Sequence, residues 1–338
     1  MNKIEDAKRL VLEHTQVFDS TPLETLNRDS CEAFSDDFLW RGMYPFYVKT
    51  GIQSVIESFW TPLRLSLKQL QRREDVFFAG ENDVEDDQSV WTCSMGHFVG
   101  LFDRDWLNIP STGRIAHLRY AEFMRVQNDQ IIESALFFDL IGLMHQAGVY
   151  PLPPMTGEHF VYPGPKTHDG LVVDVSDAQE TDKTIRLMNA MIEDLDSINH
   201  LTDVKPSADL LARTWHHDMS WYGPCGIGAS YTIERYQAQH QHPFRMNLAD
   251  KTYHGHVARF ADGKYGGFFG WANLSNRNTG GFLGLPEARS ASEMRVMDVY
   301  RRDGDKLAEN WVIIDLPYYL KQQGLDVLER LKSLRHTN

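Results

Sequence analysis

Trp106 to Gly148 and Phe282 to Gly324 align without a gap at an offset of 176 residues. That register sets Pro110 against Pro286, Arg119 against Arg295, Arg125 against Arg301, Glu133 against Glu309, Asp139 against Asp315, Gln146 against Gln322 and Gly148 against Gly324. Solenoid units repeat every ~20–50 residues, so an offset this long marks a duplicated domain. Each copy must then hold its own core, and 338 residues is enough for two. The expected division is a first domain over 1–150, a linker over 151–180 and a second domain over 181–338. The linker is placed by Pro151, Pro153, Pro154, Pro163 and Pro165, which fit neither a helix interior nor a central strand.

Each half opens with apolar residues at helical spacing: Ile4, Ala7, Leu10 and Val11 in the first, and Ile185, Met188, Met191, Ile192, Leu195 and Ile198 in the second. Each half closes with a hairpin pattern. Glu293–Tyr300 and Leu307–Ile314 flank Arg302-Asp303-Gly304-Asp305, where glycine supplies positive φ. Leu118–Arg125 and Ile131–Phe138 flank Gln127-Asn128-Asp129, where asparagine serves instead. A further hairpin is expected around Ala261–Lys264, and the acidic run Glu81–Asp87 reads as a solvated loop in the corresponding place. Helices followed by a strand meander predict an α+β class, with helices on one face of a curved, mostly antiparallel sheet.

The composition, 42% hydrophobic and 24% charged, is that of a globular protein. A net charge of -13 without a Lys/Arg cluster opposes a nucleic-acid partner. Cys31, Cys93 and Cys225 form no CxxC pair, so neither a disulfide framework nor a thiolate zinc site is expected, and a reducing cytoplasm fits. The longest apolar stretch, Ile131–Met144, is interrupted by Glu133 and Asp139, and the N-terminus mixes charges into its apolar positions. Neither a membrane span nor a signal peptide is predicted.

The second half contains, in order, WYGPCGIG (Trp221–Gly228), HQHPF (His240–Phe244), LGLP (Leu283–Pro286), MRVMDVYRRDGDKLAENWVIID (Met294–Asp315) and a closing QQG. This series resembles the SnoaL-like polyketide cyclase family, whose closing signature is a strand, a DGK-type turn, a Glu-x-Trp strand, an acid and a terminal QxG. The resemblance implies two tandem cone-shaped domains like nuclear transport factor 2 and the ketosteroid isomerases, each a bent sheet wrapped by helices around an apolar pocket. It also implies an intramolecular aldol ring closure, or related lyase or isomerase chemistry, without metal or organic cofactor. The partner would be a small hydrophobic or polycyclic ligand, and the two domains would form an internal pseudo-dimer, with further homo-oligomerisation left open. The first half departs from the pattern at Asn128 and Ala135, so turnover is expected in the second.

Asp315 follows the apolar strand Trp311–Ile314, and alternation puts it on one face with Trp311 and Ile313. If that face lines the pocket, desolvation raises its pKa and equips it for general acid/base work, the role the resemblance implies. The competing reading is an N-cap, because Leu316-Pro317 and an amphipathic helix follow. Asp139 is its first-half equivalent, with the same two readings. Asp298 and Glu122 are aligned acids inside a strand, where a carboxylate is costly unless paired or used. Arg295, three residues before Asp298, falls on the opposite strand face, against the arrangement of epoxide hydrolases of this fold. His254 and His256 share one face of an expected strand and, with His97, are candidates to hydrogen-bond a ligand oxygen; no third ligand stands at a metal-binding spacing. Trp215, Trp221, Tyr222 and Trp311 are candidate walls for a flat ligand, and Arg119 and Arg295 candidate polar contacts. Gly223–Gly228 reads as a turn at the pocket mouth with Cys225 as a small packing residue. A cofactor-free cyclase-like enzyme and a non-catalytic binding protein with the same pocket remain the two functional readings.

Overall fold

The computed structural model describes residues 2–28, 31–84, 89–200 and 207–335. In the first domain α1 (Lys3–Ser20) precedes β1 (Phe34–Gly42) and β2 (Tyr47–Thr50). Next, α2 (Ile52–Val55) runs through one π turn into α3 (Thr61–Ser66), and β3 (Leu67–Glu81), β4 (Val90–Phe102), β5 (Ile115–Gln127), β6 (Gln130–Phe138) and α4 (Leu140–Gln146) complete the unit. The second domain repeats this order. It comprises α5 (Ala178–His200), α6 (Ala208–Leu211), β7 (Trp215–Tyr222), β8 (Ala229–Tyr231) and α7 (Ile233–Tyr236), which passes through a π turn into α8 (His242–Asn247). There follow β9 (Leu248–Tyr253), β10 (Ala258–Asp262), β11 (Tyr265–Asn278), β12 (Ser292–Asp303), β13 (Lys306–Ile314), α9 (Leu316–Gln322) and α10 (Val327–Arg335).

The sheets share one topology. Their orders are β2-β1-β6-β5-β4-β3 and β8-β7-β13-β12-β11-β10, with β9 also on β11 where the first domain has the single long β3. Within each sheet the pairs are antiparallel except β1 with β6 and β7 with β13, a parallel closure that the hairpin pattern did not foretell. The sequence offset is kept in the pairing: Arg125 faces Glu133 in one hairpin and Arg301 faces Glu309 in the other. It is kept in the closing glutamine as well. Gln146 Oε1 accepts from His117 N at 2.9 Å while its Nε2 donates to His117 O at 2.8 Å, and Gln322 grips Glu293 the same way at 2.9 and 3.0 Å.

Each sheet is covered on both faces, by its own helices on one side and by the other sheet on the other. Phe123 meets Phe269 (4.9 Å between ring centroids) and Phe260 (6.0 Å), Trp91 meets Phe269 (5.3 Å), and Phe78 meets Phe260 (5.2 Å). Burying each such ring contributes about 2–3 kcal/mol, so the two sheets form one continuous core. β3 and β10 approach so closely that a Cβ on Gly80 would lie 2.5 Å from the Ala261 carbonyl oxygen. Lys8 of α1 pairs with Asp262 at 2.6 Å in a buried bridge across the junction.

The linker is built into this junction, with Phe77 N donating to Gly170 O and Val172 N to Phe77 O. Of the acidic run, Glu81 closes β3 and Asp83 pairs with Arg259 at 3.0 Å, whereas Glu85, Asp86 and Asp87 lie outside the described residues. Among the described residues no helix is long and apolar enough to cross a membrane.

Candidate acid site in the second domain

Alternation along β12 turns Val296, Asp298 and Tyr300 toward the helices and Arg295, Met297 and Val299 toward the first domain. The register carries the helix-facing side across to Phe268 on β11 and to Asn310 and Val312 on β13. Asp298 therefore projects into the cone. Tyr300 Oη donates to its Oδ1 at 3.0 Å and Asn310 Nδ2 to the same oxygen at 3.2 Å. Both partners are neutral, and no cation stands within ion-pair reach of it among the described residues. Protein surrounds the carboxyl and desolvation pushes its pKa up to about 6, with the hydrogen bonds from Asn310 and Tyr300 opposing. Asp298 is nonetheless only half-buried, and both donors engage the same oxygen.

Aromatic rings wall this space. Trp215 lies on Tyr300 (5.7 Å), Tyr300 on Phe268 (5.6 Å), and Phe268 stacks on His256 at 4.0 Å. From the other side Tyr236 of α7 packs on Trp221, which stacks on His240 at 4.3 Å. Burial lowers the pKa of His240 to about 4 and, with Arg259 adding to it, that of His256 to about 3, so both are neutral imidazoles at neutral pH. His240 Nδ1 and both amide atoms of Gln241 are enclosed without a hydrogen-bond partner. Such groups are costly unless something fills the space beside them.

The first cone holds its acid differently. Glu122, the aligned acid, accepts from Arg72 Nη1 at 3.0 Å and from Ser134 Oγ at 3.1 Å. Arg72 also binds Asp19 at 3.0 Å and lies over the rings of Trp60, Phe98 and Tyr120. A buried ion pair thus stands where the second cone has an accessible acid with neutral partners.

Asp315 and Trp311 share a strand face, as expected, but that face is the one turned to the first domain. Asp315 is completely buried and caps α9 by accepting from Tyr318 N at 3.2 Å, while its Oδ2 accepts from Tyr44 N of the first domain at 3.0 Å. Burial raises its pKa to about 7 against the lowering influence of the Tyr44 N–H, Arg295 at 3.6 Å and the Tyr318 N–H. Asp139 is its mirror: it accepts from Gly142 N at 2.9 Å and from Cys225 N of the second domain at 2.7 Å. The two capping acids are reciprocal latches between the domains. Gly223–Gly228 accordingly lies at the domain junction, correcting its reading as a pocket mouth.

Other expected contacts separate. Trp311 donates its Nε1 to Pro163 O at 3.0 Å and stacks on Tyr222, so these two rings hold the linker and do not wall the cone. Trp215 instead packs on Tyr300 and Trp221 on Tyr236, in the half of the second domain that holds Asp298. His254 and His256 are not on a strand, because the chain breaks pairing between β9 and β10 there. His254 is exposed and bonded to Ser275 Oγ at 3.0 Å; both histidines line an open cavity of about 350 Å³ with Trp271 and Glu293. Arg295 is clamped between Trp271 (4.4 Å) and Tyr318 (3.7 Å), on the face away from Asp298. His97, Arg119 and Asp139 gather at a second cavity of about 160 Å³ against the linker. Asn310, Tyr300 and Tyr236 escaped the sequence reading, and His240 entered it only within the HQHPF motif. The repeat held a signal for one of them, since Asn310 aligns with Ser134 and each hydrogen-bonds the acid of its own copy.

No protein-family model and no curated protein sequence matches the chain. Solved structures similar to it include a protein described as a SnoaL-like polyketide cyclase from Jannaschia sp. CCS1, at 20% identity and a TM-score of 0.33, over 46% of this chain and 97% of that one. An NTF2-like protein from Burkholderia xenovorans LB400 is 12% identical with a TM-score of 0.33, over 42% and 95% of the two chains. A protein described as an LEH-like epoxide hydrolase from M. tuberculosis is 15% identical with a TM-score of 0.29, over 47% and 99%. Each is matched by less than half of this chain. The two-domain α+β architecture stands on the strand orders and registers given above.

Proposed function

We propose that the second domain is a cofactor-free general acid/base site of the cyclase type, acting on a small apolar, carbonyl-bearing ligand through Asp298. The observation that carries this reading is an accessible carboxyl in an aromatic cone, poised near pH 6 by burial and held only by neutral donors. Tyr300 and Asn310 both engage Oδ1, which leaves Oδ2 as the basic atom. Oδ2 removes the proton from a carbon flanked by carbonyls. The resulting enolate carbon attacks a second carbonyl of the same molecule, and the protonated Asp298 returns its proton to the new alkoxide. The carboxyl ends as it began. One placed group of matched pKa supplies about 10²–10⁴-fold, and holding both carbons in reach supplies the rest. Asp315, fully buried and engaged by two backbone N–H groups, is read as the cap and latch that keep β13 in register beneath this site.

The test is exchange of the activated carbon-bound proton of linear 1,3-dicarbonyl compounds for deuterium, followed by NMR across pH. The reading expects catalysed exchange that rises with pH through an inflection near 6, where Asp298 ionises. Bound ligand without exchange at any pH would make the domain a binding protein instead.

A further inference from the structure

The second cavity, of about 160 Å³, lies away from the cone, between the first-domain sheet, α4 and the linker. Four imidazoles reach it from four segments: His97 from β4, His117 from β5, His145 from α4 and His159 from the linker. They stand edge to face in two pairs, His97 with His117 at 6.1 Å and His145 with His159 at 5.4 Å. Room for His159 exists because position 142 is glycine. A Cβ there would lie 3.2 Å from the His159 ring, and the aligned position in the second domain carries Tyr318. His159 Nδ1 is enclosed without a hydrogen-bond partner.

The fixed charges around the cluster are accounted for. Arg119, buried, donates to Gly223 O and Tyr222 O and lies over Tyr162. Both oxygens of Asp139 are taken, by Gly142 N and Cys225 N. Asp75 of β3 stands 3.4 Å from His97 Nδ1, and Tyr150, Tyr162 and the Cys225 thiol are neutral groups whose pKa burial raises. Among the described residues no three His, Cys, Asp or Glu side chains are arranged to hold a metal ion. What the cavity offers is a ring of N–H donors whose charge depends on pH.

We propose that this junction cavity binds a small anion, of the size of succinate or inorganic phosphate, with His97, His117, His145 and His159 as donors. Desolvation, and for His117 the neighbouring His97, holds the pKa of His117 and His159 below the usual imidazole value. An anion offsets the repulsion among protonated rings, so binding takes up protons. It strengthens as pH falls and is lost as pH rises through the imidazole range.

The test is calorimetric titration of the full chain with succinate, with inorganic phosphate and with uncharged succinamide, at about pH 6 and about pH 8. The expected result is saturable binding of one or both anions at the lower pH, weakened at least about tenfold at the higher pH and by His145→Gln or His117→Gln. Succinate alone would mark a carboxylate site and phosphate alone a phosphate site. His145 is exposed, so His145→Gln leaves folding intact, and a circular dichroism spectrum checks each variant. No saturable binding at the lower pH, equal binding at both, equal binding of succinamide, or indifference to both substitutions would overturn the proposal.

Discussion

Asp298 and Glu122 occupy one position in two copies of a fold, and their neighbours set them apart. Arg72 neutralises Glu122 and fills the first cone, whereas the donors to Asp298 carry no charge. The consequence reaches stability. Because the folded-state pKa of Asp298 is raised, its favourable contribution is present below the unfolded value and is lost as pH rises from about 4 through about 6. Asp298→Asn is therefore expected to stabilise the protein by about 1–2 kcal/mol at about pH 8 and by little near pH 4, measured by urea unfolding at both. The latching acids behave differently. Asp139→Ala and Asp315→Ala each remove a cap and leave a buried N–H of the other domain unpaired, an expected loss of about 2–3 kcal/mol apiece. Asn in either place keeps the cap and gives up the latch, so denaturant melts should place it between Ala and the native residue.

At the level of elements, the repeat made the terminal hairpins, the closing glutamine and the capping positions readable, because each depends on residues close in sequence. Asn128 and Asp129 do adopt left-handed backbone, with φ of 53° and 58°. Glycine at the second of these suits the turn better, so Asp129→Gly should raise stability by about 0.5–1 kcal/mol in thermal unfolding. The faces of β12 and β13 were not readable. A strand covered on both sides is apolar on both, so period-two alternation separates Trp311 and Asp315 from Asp298 and Asn310 without saying which set faces the ligand. That choice is made by Phe123, Phe137 and Trp91, which lie more than a hundred residues upstream. The parallel closure of β7 on β13 is equally non-local.

Taken as a whole molecule, the duplication has fixed a sheet-to-sheet pair within one chain, and the copies have diverged in what their cones contain. Phe269 touches Trp91, Phe123 and Phe137 at the centre of the contact. Phe269→Ala should cost about 3–5 kcal/mol, with both halves still melting in a single transition by tryptophan fluorescence and by circular dichroism. Two separated transitions in the native chain would show that the halves are independent.

The division of labour between the cones is tested by carbon-acid proton exchange in folded Asp298→Asn, Asp315→Asn and Glu122→Gln proteins beside the native chain. The expected result is a loss of about 10²–10⁴-fold in Asp298→Asn with ligand binding retained, and native exchange in Glu122→Gln. Native exchange in a well-folded Asp298→Asn protein, or a loss confined to Asp315→Asn or Glu122→Gln, would contradict the account.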